Sequence, residues 1–561
     1  MPSLPRVCDP VPEGLDSGGL PNRGRARRLR RRRGPDAPPH NLVGGSVALL
    51  MAIVGLCDAA LAQRTETGAS SAALAGEVAH AQRMRQLFPD VARGGQTAPR
   101  VIPEFEIDRD SSGAIATLQP NGPTVTARQP FFQVLGTNGR SCFTCHQPQD
   151  GWALSAADAQ ARFDADPDDP LFRLVDGATC ASDDVSTPAA KRKAYRLLRE
   201  KGLIRIALPM PSQGLEFAII GIDDPYGCNT NPATGLIGQT SGTVSVYRRP
   251  LPAANLGFLS TIMWDGREPD LFSQAADATL GHAQANAAPS LAQQRQIVAF
   301  EGCARADTPA ACANIPPRSG VFSAQIFDDQ AGDLDEGADG GPASLLRQLD
   351  RFFIGINDPL GNNPKGTTFT PEIFQLYDRW DGQWAGPRRG SARAAARAAI
   401  ARGEQIFNTV KIDIAGVGGL NDALGKPSIP GFCGTCHDTP SVGDHSVKAP
   451  LDIGVADAGA ASPPGLDITG LPVFTIWCKA GPLAGRILTV TDPGRALISG
   501  QCADIGKIKG PILRGLAARA PYFHNGSAAS LRDVVEFYDR RFAIGLTDQQ
   551  KADLVAFLKA L

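Results

Sequence analysis

The sequence predicts a mainly α fold, built as two like units with long irregular insertions and a few short strands. Three observations predict it. A Cys-x-x-Cys-His pattern occurs twice, as Cys142-Phe143-Thr144-Cys145-His146 and Cys433-Gly434-Thr435-Cys436-His437, 291 positions apart. Strong helical patterns lie on both sides of the second copy, over 391–407 and 547–561. Glycine (61) and proline (45) are abundant, which favours irregular connections over further long helices.

The bulk properties set the frame. A chain of 561 residues is too long for one small core and divides into two to four domains by ordinary size. Hydrophobic content of 42% and charged content of 20% suit a soluble globular protein. A formal net charge of -1 argues against nucleic acid as a partner and against general attraction to anionic membranes. The N-terminus differs in character. An arginine-rich run over 23–33 precedes an apolar stretch over 42–61, interrupted by Asp58, and Ala60-Leu61-Ala62 fits a small-residue cleavage site. Residues 1–62 therefore read as a Sec-type signal, with an uncleaved anchor as the alternative. The positive region is overlong, as it would be if the first ~35 residues were a mis-called start. Residues 63–125 form an extension. No other apolar run approaches 18 residues, so no membrane span is expected after cleavage, and the expected location is the periplasm.

The paired motifs carry the chemistry. Two thiols three positions apart on a helical turn can reach the two vinyl groups of one porphyrin, and the adjacent histidine then lies beneath the iron. With 12 Cys and 7 His, chance gives roughly 0.003 copies of this pattern per chain. A zinc site would pool four ligands at closer spacing, and a thioredoxin-like pair needs no following histidine. The reading is two covalently attached haems c, held by Cys142 and Cys145 with His146, and by Cys433 and Cys436 with His437. The fold expectation sharpens to two cytochrome c-like haem domains, 126–388 and 389–561. Cys8 and Cys57 fall in the signal. Six cysteines remain: Cys180, Cys228, Cys303, Cys312, Cys478 and Cys502. Sequence order suggests disulfides 180–228, 303–312 and 478–502, among the fifteen pairings six cysteines allow; buried free thiols are the alternative.

The other elements follow in order. Gly136-Thr137-Asn138-Gly139 before the first motif would let backbone approach a haem edge. Residues 187–202 predict a helix stopped at Gly202. Residues 203–221 carry Ile, Leu and Phe without helical period and predict strand or extended loop. The acidic, Gly-rich stretch 328–342 reads as a surface linker. Residues 391–407 predict a helix before the second motif. Thr547 with Gln550 makes a capping box for a last helix whose apolar stripe is Leu554, Val555, Phe557, Leu558 and Leu561.

Four stretches resemble the bacterial di-haem cytochrome c peroxidase family, which includes MauG-type enzymes. They are 139–148 around the first motif, Met263-Trp264-Asp265-Gly266-Arg267 with Gln274-Ala275, the second motif, and Leu513-Arg514-Gly515-Leu516 with Ala520-Pro521-Tyr522-Phe523-His524-Asn525-Gly526-Ser527. The resemblance implies that one haem meets hydrogen peroxide and the other receives electrons from a small donor protein, a cytochrome c or a cupredoxin. It implies that Trp264 couples the haems and that Gln274 lies in the distal pocket of the first. The family's distal Glu falls near Gln284, a departure, because a carboxylate normally moves the peroxide proton. His282 stands nearby and can do that work, ligate the first iron, or simply be buried. The family's second distal ligand, a Met, aligns with Tyr538, where MauG-type members carry Tyr; a helix surface residue is the plain alternative. His524 reads as a supporting or interface residue. The family's calcium ion, held through carbonyls matching Arg519 and Pro521, would need a side-chain ligand near Arg249, which cannot ligate a cation, so calcium is doubtful here. The expected function is a periplasmic di-haem peroxidase-type oxidoreductase, with a non-catalytic electron carrier and a MauG-like or oxygenase di-haem enzyme as alternatives.

Overall fold

The structure, a computed structural model, describes residues 100–229, 242–259, 261–302, 320–337, 357–361, 366, 368–381, 391–444 and 447–561. All of them belong to one of two compact units, Ala69–Leu561; the other, Met1–Gly68, lies outside the described residues, as do the expected signal and the pairing of Cys303 with Cys312.

Ten α-helices are described: α1 (Ala156–Ala165), α2 (Pro188–Ala194), α3 (Arg196–Lys201), α4 (Leu271–Gly281), α5 (Leu291–Glu301), α6 (Ala392–Thr409), α7 (Asn421–Leu424), α8 (Ala496–Ser499), α9 (Leu531–Arg541) and α10 (Asp548–Lys559). The helix expected over 187–202 breaks at Tyr195 into α2 and α3, and stops at Gly202, whose φ of 60° is the left-handed stop that glycine adopts without strain. Ser391 caps α6 by accepting from the Ala394 amide at 3.1 Å. Thr547 and Gln550 cap α10 as the sequence predicts. Helices α6 and α10 pack closely because Gly403 has no side chain: a Cβ there would lie 2.1 Å from the Asp553 carbonyl oxygen. Phe374, Phe407 and Phe557 interlock across this contact at 5.2–5.7 Å between rings. Leu554, Phe557, Leu558 and Leu561 are buried there, each adding about 1.5–3 kcal/mol of apolar burial.

Strands are more numerous than expected. Thirteen short strands make five antiparallel sheets among the described residues. The largest runs β2 (Phe105–Arg109), β3 (Gly113–Leu118), β8 (Phe322–Asp328), β9 (Gly332–Asp333). Strand β3 is buried on both faces, so it carries none of the alternation that reveals a half-buried strand. Strand β6 (Phe217–Asp223) pairs with β12 (Val473–Cys478), and β12 with β13 (Ile487–Val490), stitching the chain before the second motif to the chain after it. The two disulfides described sit beside these strands, Cys180–Cys228 and Cys478–Cys502, as sequence order suggested. The surface linker expected over 328–342 is corrected where it is described. The chain turns after β8 into β9 (Gly332–Asp333), with Ala331 and Leu334 fully buried, and Arg397 on α6 donates to the Ala331 carbonyl at 2.9 Å, tying the turn to the core.

A structural duplication at an offset of 260 residues organises the middle and end of the chain. Asn255 and Gly515 both take positive φ, at 63° and 66°, before short 3-10 turns at Leu256–Phe258 and Leu516–Ala518. Bridges Ile262↔Glu268 and Tyr522↔Ala528 then close matching loops. Met263 and Phe523 have φ of 65° and 66°, and Gly266 and Gly526 both have 65°. Asp270 caps α4 and Ser530 caps α9, each accepting from the amide three residues on.

Candidate active site

Each Cys-x-x-Cys-His motif opens onto its own cavity. In both, a 3-10 turn places the two cysteines on one side, and the histidine amide donates to the first cysteine's carbonyl, at 3.2 Å for His146 and 3.0 Å for His437. The four thiols are outside any disulfide. Burial raises all of them, Cys145 to about 11 and both Cys433 and Cys436 to about 12. Among the described residues no group of three or more His, Cys, Asp or Glu could hold a metal ion.

The first cavity, about 1280 Å³ with its solvent-open mouth included, is lined by Cys142, Cys145, His146, Trp264, Gln274, Ala278, His282 and Glu301, among others. His146 Nδ1 lies 2.9 Å from the Trp152 carbonyl. A carbonyl only accepts, so Nδ1 carries the proton and Nε2 keeps its lone pair for the cavity. Burial lowers the His146 pKa to about 4, which keeps the ring neutral near pH 7. Gln274 Oε1 is buried with no hydrogen-bond partner.

His282 ends α4 and is anchored from behind. Its Nδ1 lies 2.6 Å from Asp176 Oδ2, and Asp176 also pairs with Arg140. Burial works to raise the Asp176 pKa, but Arg140 and His282 hold it at about 2. An ionised Asp176 only accepts, so His282 Nε2 is the atom left for the cavity. Gln284, near the family's carboxylate position, is exposed and does not line the cavity; its side chain accepts from Asn138 Nδ2 at 3.4 Å. The cavity has a carboxyl of its own that the sequence reading missed. Glu301, at the end of α5, is buried with Oε2 unpartnered, and burial raises its pKa to about 8.

The second cavity, about 1680 Å³ with its solvent-open mouth included, is lined mostly by apolar side chains with Cys433, Cys436, His437, Lys509, His524 and Tyr538. Burial lowers His437 to about 4 and raises the Tyr538 phenol. The Tyr538 hydroxyl makes no hydrogen bond among the described residues. Among the described residues no methionine lines this cavity: Met210 is buried elsewhere and Met263 lines the first. The duplication aligns the two distal walls, so that Gln274, Ala278 and His282 on α4 correspond to Val534, Tyr538 and Phe542 on α9, and all six line their cavities.

Trp264 lines both cavities. Its Nε1 donates to the Arg249 carbonyl at 2.7 Å, and its carbonyl accepts from the Lys509 amide at 2.8 Å. The buried Lys509 ammonium lies 5.9 Å from the indole centroid. His524, the duplicate of Trp264, sits 6.1 Å from it between ring centroids and 3.6 Å from Asp492. Arg248 clamps the loop by binding Asp265 at 2.5 Å and Asp492 at 2.7 Å, all three side chains fully buried.

These features fit two covalently attached porphyrins: unpaired cysteines at the edge of each large apolar cavity, a neutral imidazole beside them, and an orphaned amide oxygen in the first. The calcium ion does not fit. The Arg249 guanidinium fills the place of its side-chain ligand and donates to the Arg519 carbonyl at 2.9 Å.

No protein-family model matches the chain. A cytochrome-c peroxidase of Pseudomonas sp. (strain SCT) is 33% identical over 144 residues, covering 23% of this chain and 36% of that protein. A cytochrome-c peroxidase of Denitromonas iodatirespirans is 42% identical over 78 residues, 13% of this chain and 21% of that one. The cytochrome c551 peroxidase of Nitrosomonas europaea is 27% identical over 151 residues, 26% of this chain and 36% of its own. The matches thus span about a third or less of these relatives' length. Among solved structures, a MauG-like protein associated with microbial copper homeostasis aligns over 77% of this chain and 86% of its own, at 17% identity and a TM-score of 0.30.

Proposed function

We propose a peroxidase function from one premise: the chain belongs to the superfamily of bacterial di-haem cytochrome c peroxidases and MauG-type proteins. Hydrogen peroxide would be reduced in the first cavity, with electrons from a small donor, a cytochrome c or a cupredoxin. Its proposed location is the periplasm; among the described residues, no helix is long and apolar enough to cross a membrane.

Cys142, Cys145 and His146 would hold one haem, and Cys433, Cys436, His437 and Tyr538 the other. The bound haems would supply iron redox chemistry at two coupled points. The observation that carries the reading is the difference between the duplicated walls. At corresponding positions the first cavity is lined by Ala278 and the second by Tyr538, so only the second presents a phenol there. Cleaving peroxide to two waters consumes two electrons and two protons. Protons need a relay at the reacting oxygen, and His282 Nε2 and the Glu301 carboxyl are the groups in the first cavity that can carry them. The Gln274 side chain has a free acceptor to orient the peroxide O–H. Trp264 lies between the cavities as the aromatic bridge. A phenolate from Tyr538 would favour oxidised iron over a thioether, which also suits a MauG-like oxidation of a substrate at a distance.

Electron paramagnetic resonance of the ferric holoprotein, with mass spectrometry, tests this. Two porphyrin mass increments, and one site, open at once or after partial reduction, that changes with peroxide while the other stays low-spin, are expected. Two closed irons indifferent to peroxide, before and after partial reduction, would make the protein an electron carrier. Peroxide reactivity without turnover by reduced donor would favour the MauG-like reading.

A further inference from the structure

We infer that Arg249 is a built-in cation that replaces a bound metal ion between the two halves of the molecule and holds Trp264 in place. Arg249 lies just after β7 (Thr243–Arg248), and its side chain is buried among backbone carbonyls. Its Nη1 donates to the Lys201 carbonyl at 2.9 Å, and its Nη2 to Leu154 at 2.7 Å and Arg519 at 2.9 Å. Leu154 and Lys201 belong to the segment after the first motif, and Arg519 to the segment after the second. No carboxylate forms an ion pair with Arg249 among the described residues. A cage of carbonyl oxygens without a salt-bridge partner is the environment a hard cation takes, and a guanidinium with five fixed donors fills it covalently tethered. Gly202 makes room for it: a Cβ there would lie 2.5 Å from Nη1.

The backbone of the same residue reaches the bridge between the cavities. The Arg249 carbonyl accepts from Trp264 Nε1 at 2.7 Å, and its amide donates to the His524 carbonyl at 2.7 Å. The duplication supplies the mirror of this bond, because Lys509, 260 residues on, donates its amide to the Trp264 carbonyl at 2.8 Å. Each half thus contributes one buried cationic residue whose backbone grips the other half's loop. The Arg519 guanidinium is also buried close to Arg249. A divalent ion added between two such guanidinium groups would meet like charge on both sides. Arg249 is therefore a positioning residue: it borders the first cavity, but its guanidinium bonds go to backbone carbonyls and its own carbonyl holds Trp264. The cation replacement stands on these bonds alone. Only the effect on electron transfer rests on the proposed function.

The test uses the haem-loaded full chain. Wild-type protein should contain less than about 0.1 calcium per chain by elemental mass spectrometry. Its unfolding midpoint and ferric spectrum should not change with a calcium chelator. Arg249→Ala should lower the midpoint by at least ~3 °C, because three buried carbonyls lose their donor. Millimolar guanidinium ion should restore part of it. Arg249→Asn, which removes the tethered cation and adds a carbonyl ligand, should gain a stabilisation by calcium that wild type lacks. One calcium per wild-type chain, or a chelator-sensitive spectrum, overturns the inference. So does an Arg249→Ala protein with unchanged midpoint. If Arg249→Ala does not accumulate, the wild-type calcium content and Arg249→Lys decide: Lys should keep the charge but lose stability. Transfer between the haems should slow at least tenfold in Arg249→Ala, with both haem spectra retained. Slower transfer failing while the calcium arms hold would count against the role of Trp264, not against the cation.

Discussion

The two distal walls share a backbone and differ in what they place over the cavity. Loops 262–268 and 522–528 and helices α4 and α9 follow the same path at a 260-residue offset. The lining positions that differ most are Gln274 and Ala278 on α4 with His282 at its C-cap, against Val534 and Tyr538 on α9 with Phe542 at its C-cap. One wall is small and polar, the other bulky and apolar with a single hydroxyl. On the proposed function, the same scaffold would make a site for a small oxidant by subtraction. It removes one aromatic ring and adds groups that move protons. The second wall keeps the ring and carries no acid among its described lining residues, which suits the electron-entry role that the family resemblance implies.

The sharpest way to break this comparison is to exchange the ring. Ala278→Tyr should close the first site and lower peroxide turnover by about 10³-fold or more, since the oxidant loses its place at the iron. Retained turnover, measured with reduced donor, would mean peroxide reacts elsewhere. The reciprocal Tyr538→Ala should convert the second haem from low-spin to high-spin in the ferric spectrum. Cyanide should then bind at two sites rather than one. An unchanged spectrum would remove Tyr538 as a ligand.

A smaller effect separates the two candidate acids of the first wall. Glu301→Gln and His282→Gln each remove one titrating group without much change of shape. The one that moves the peroxide proton should cost about 10²–10⁴-fold in turnover, and the other far less. Asp176→Asn tests the same relay from behind. It weakens the tautomer preference of His282, and a loss of about 10–100-fold is expected if His282 is the working group. Equal and small effects for all three would leave the proton to solvent.

How much of this was legible in the sequence follows from distance along the chain. The motifs, the Thr547 cap and the stop at Gly202 are local and were readable. Trp264 and Gln274 came into view only through resemblance, and the structure puts both on the first cavity. Asp176 was invisible, because the contact that gives it a role is with His282, 106 residues on. Glu301 was passed over because nothing near it in sequence marks a cavity; its burial is set by the core around Phe131, Phe143 and Trp152. The duplication was equally hidden. Over 249–283 and 509–543 only Leu256, Gly266, Leu271 and Ala283 keep their residue. What persists is backbone: positive φ at three paired positions, two bridges and two caps. The strands were undercounted for the related reason that β3 and much of β8 are buried on both faces and lack alternation.

The smallest expected effect concerns pH, and it also distinguishes the walls. Glu301 is a carboxyl whose folded pKa is raised to about 8 by burial. In the unfolded chain the same group ionises near its ordinary 4.5. Between these values the folded state holds a proton that the unfolded state has lost. Stability therefore falls as pH rises through that window, and above the folded pKa the buried charge brings its full cost. Among the described residues no carboxyl lines the second cavity, so none there contributes such a term. Glu301→Gln removes the titrating group but keeps its shape. The variant should gain a few degrees in unfolding midpoint relative to wild type at pH 8 and little at pH 5. A difference of the same size at both pH values would mean that Glu301 is held by packing or by the haem edge rather than by its proton.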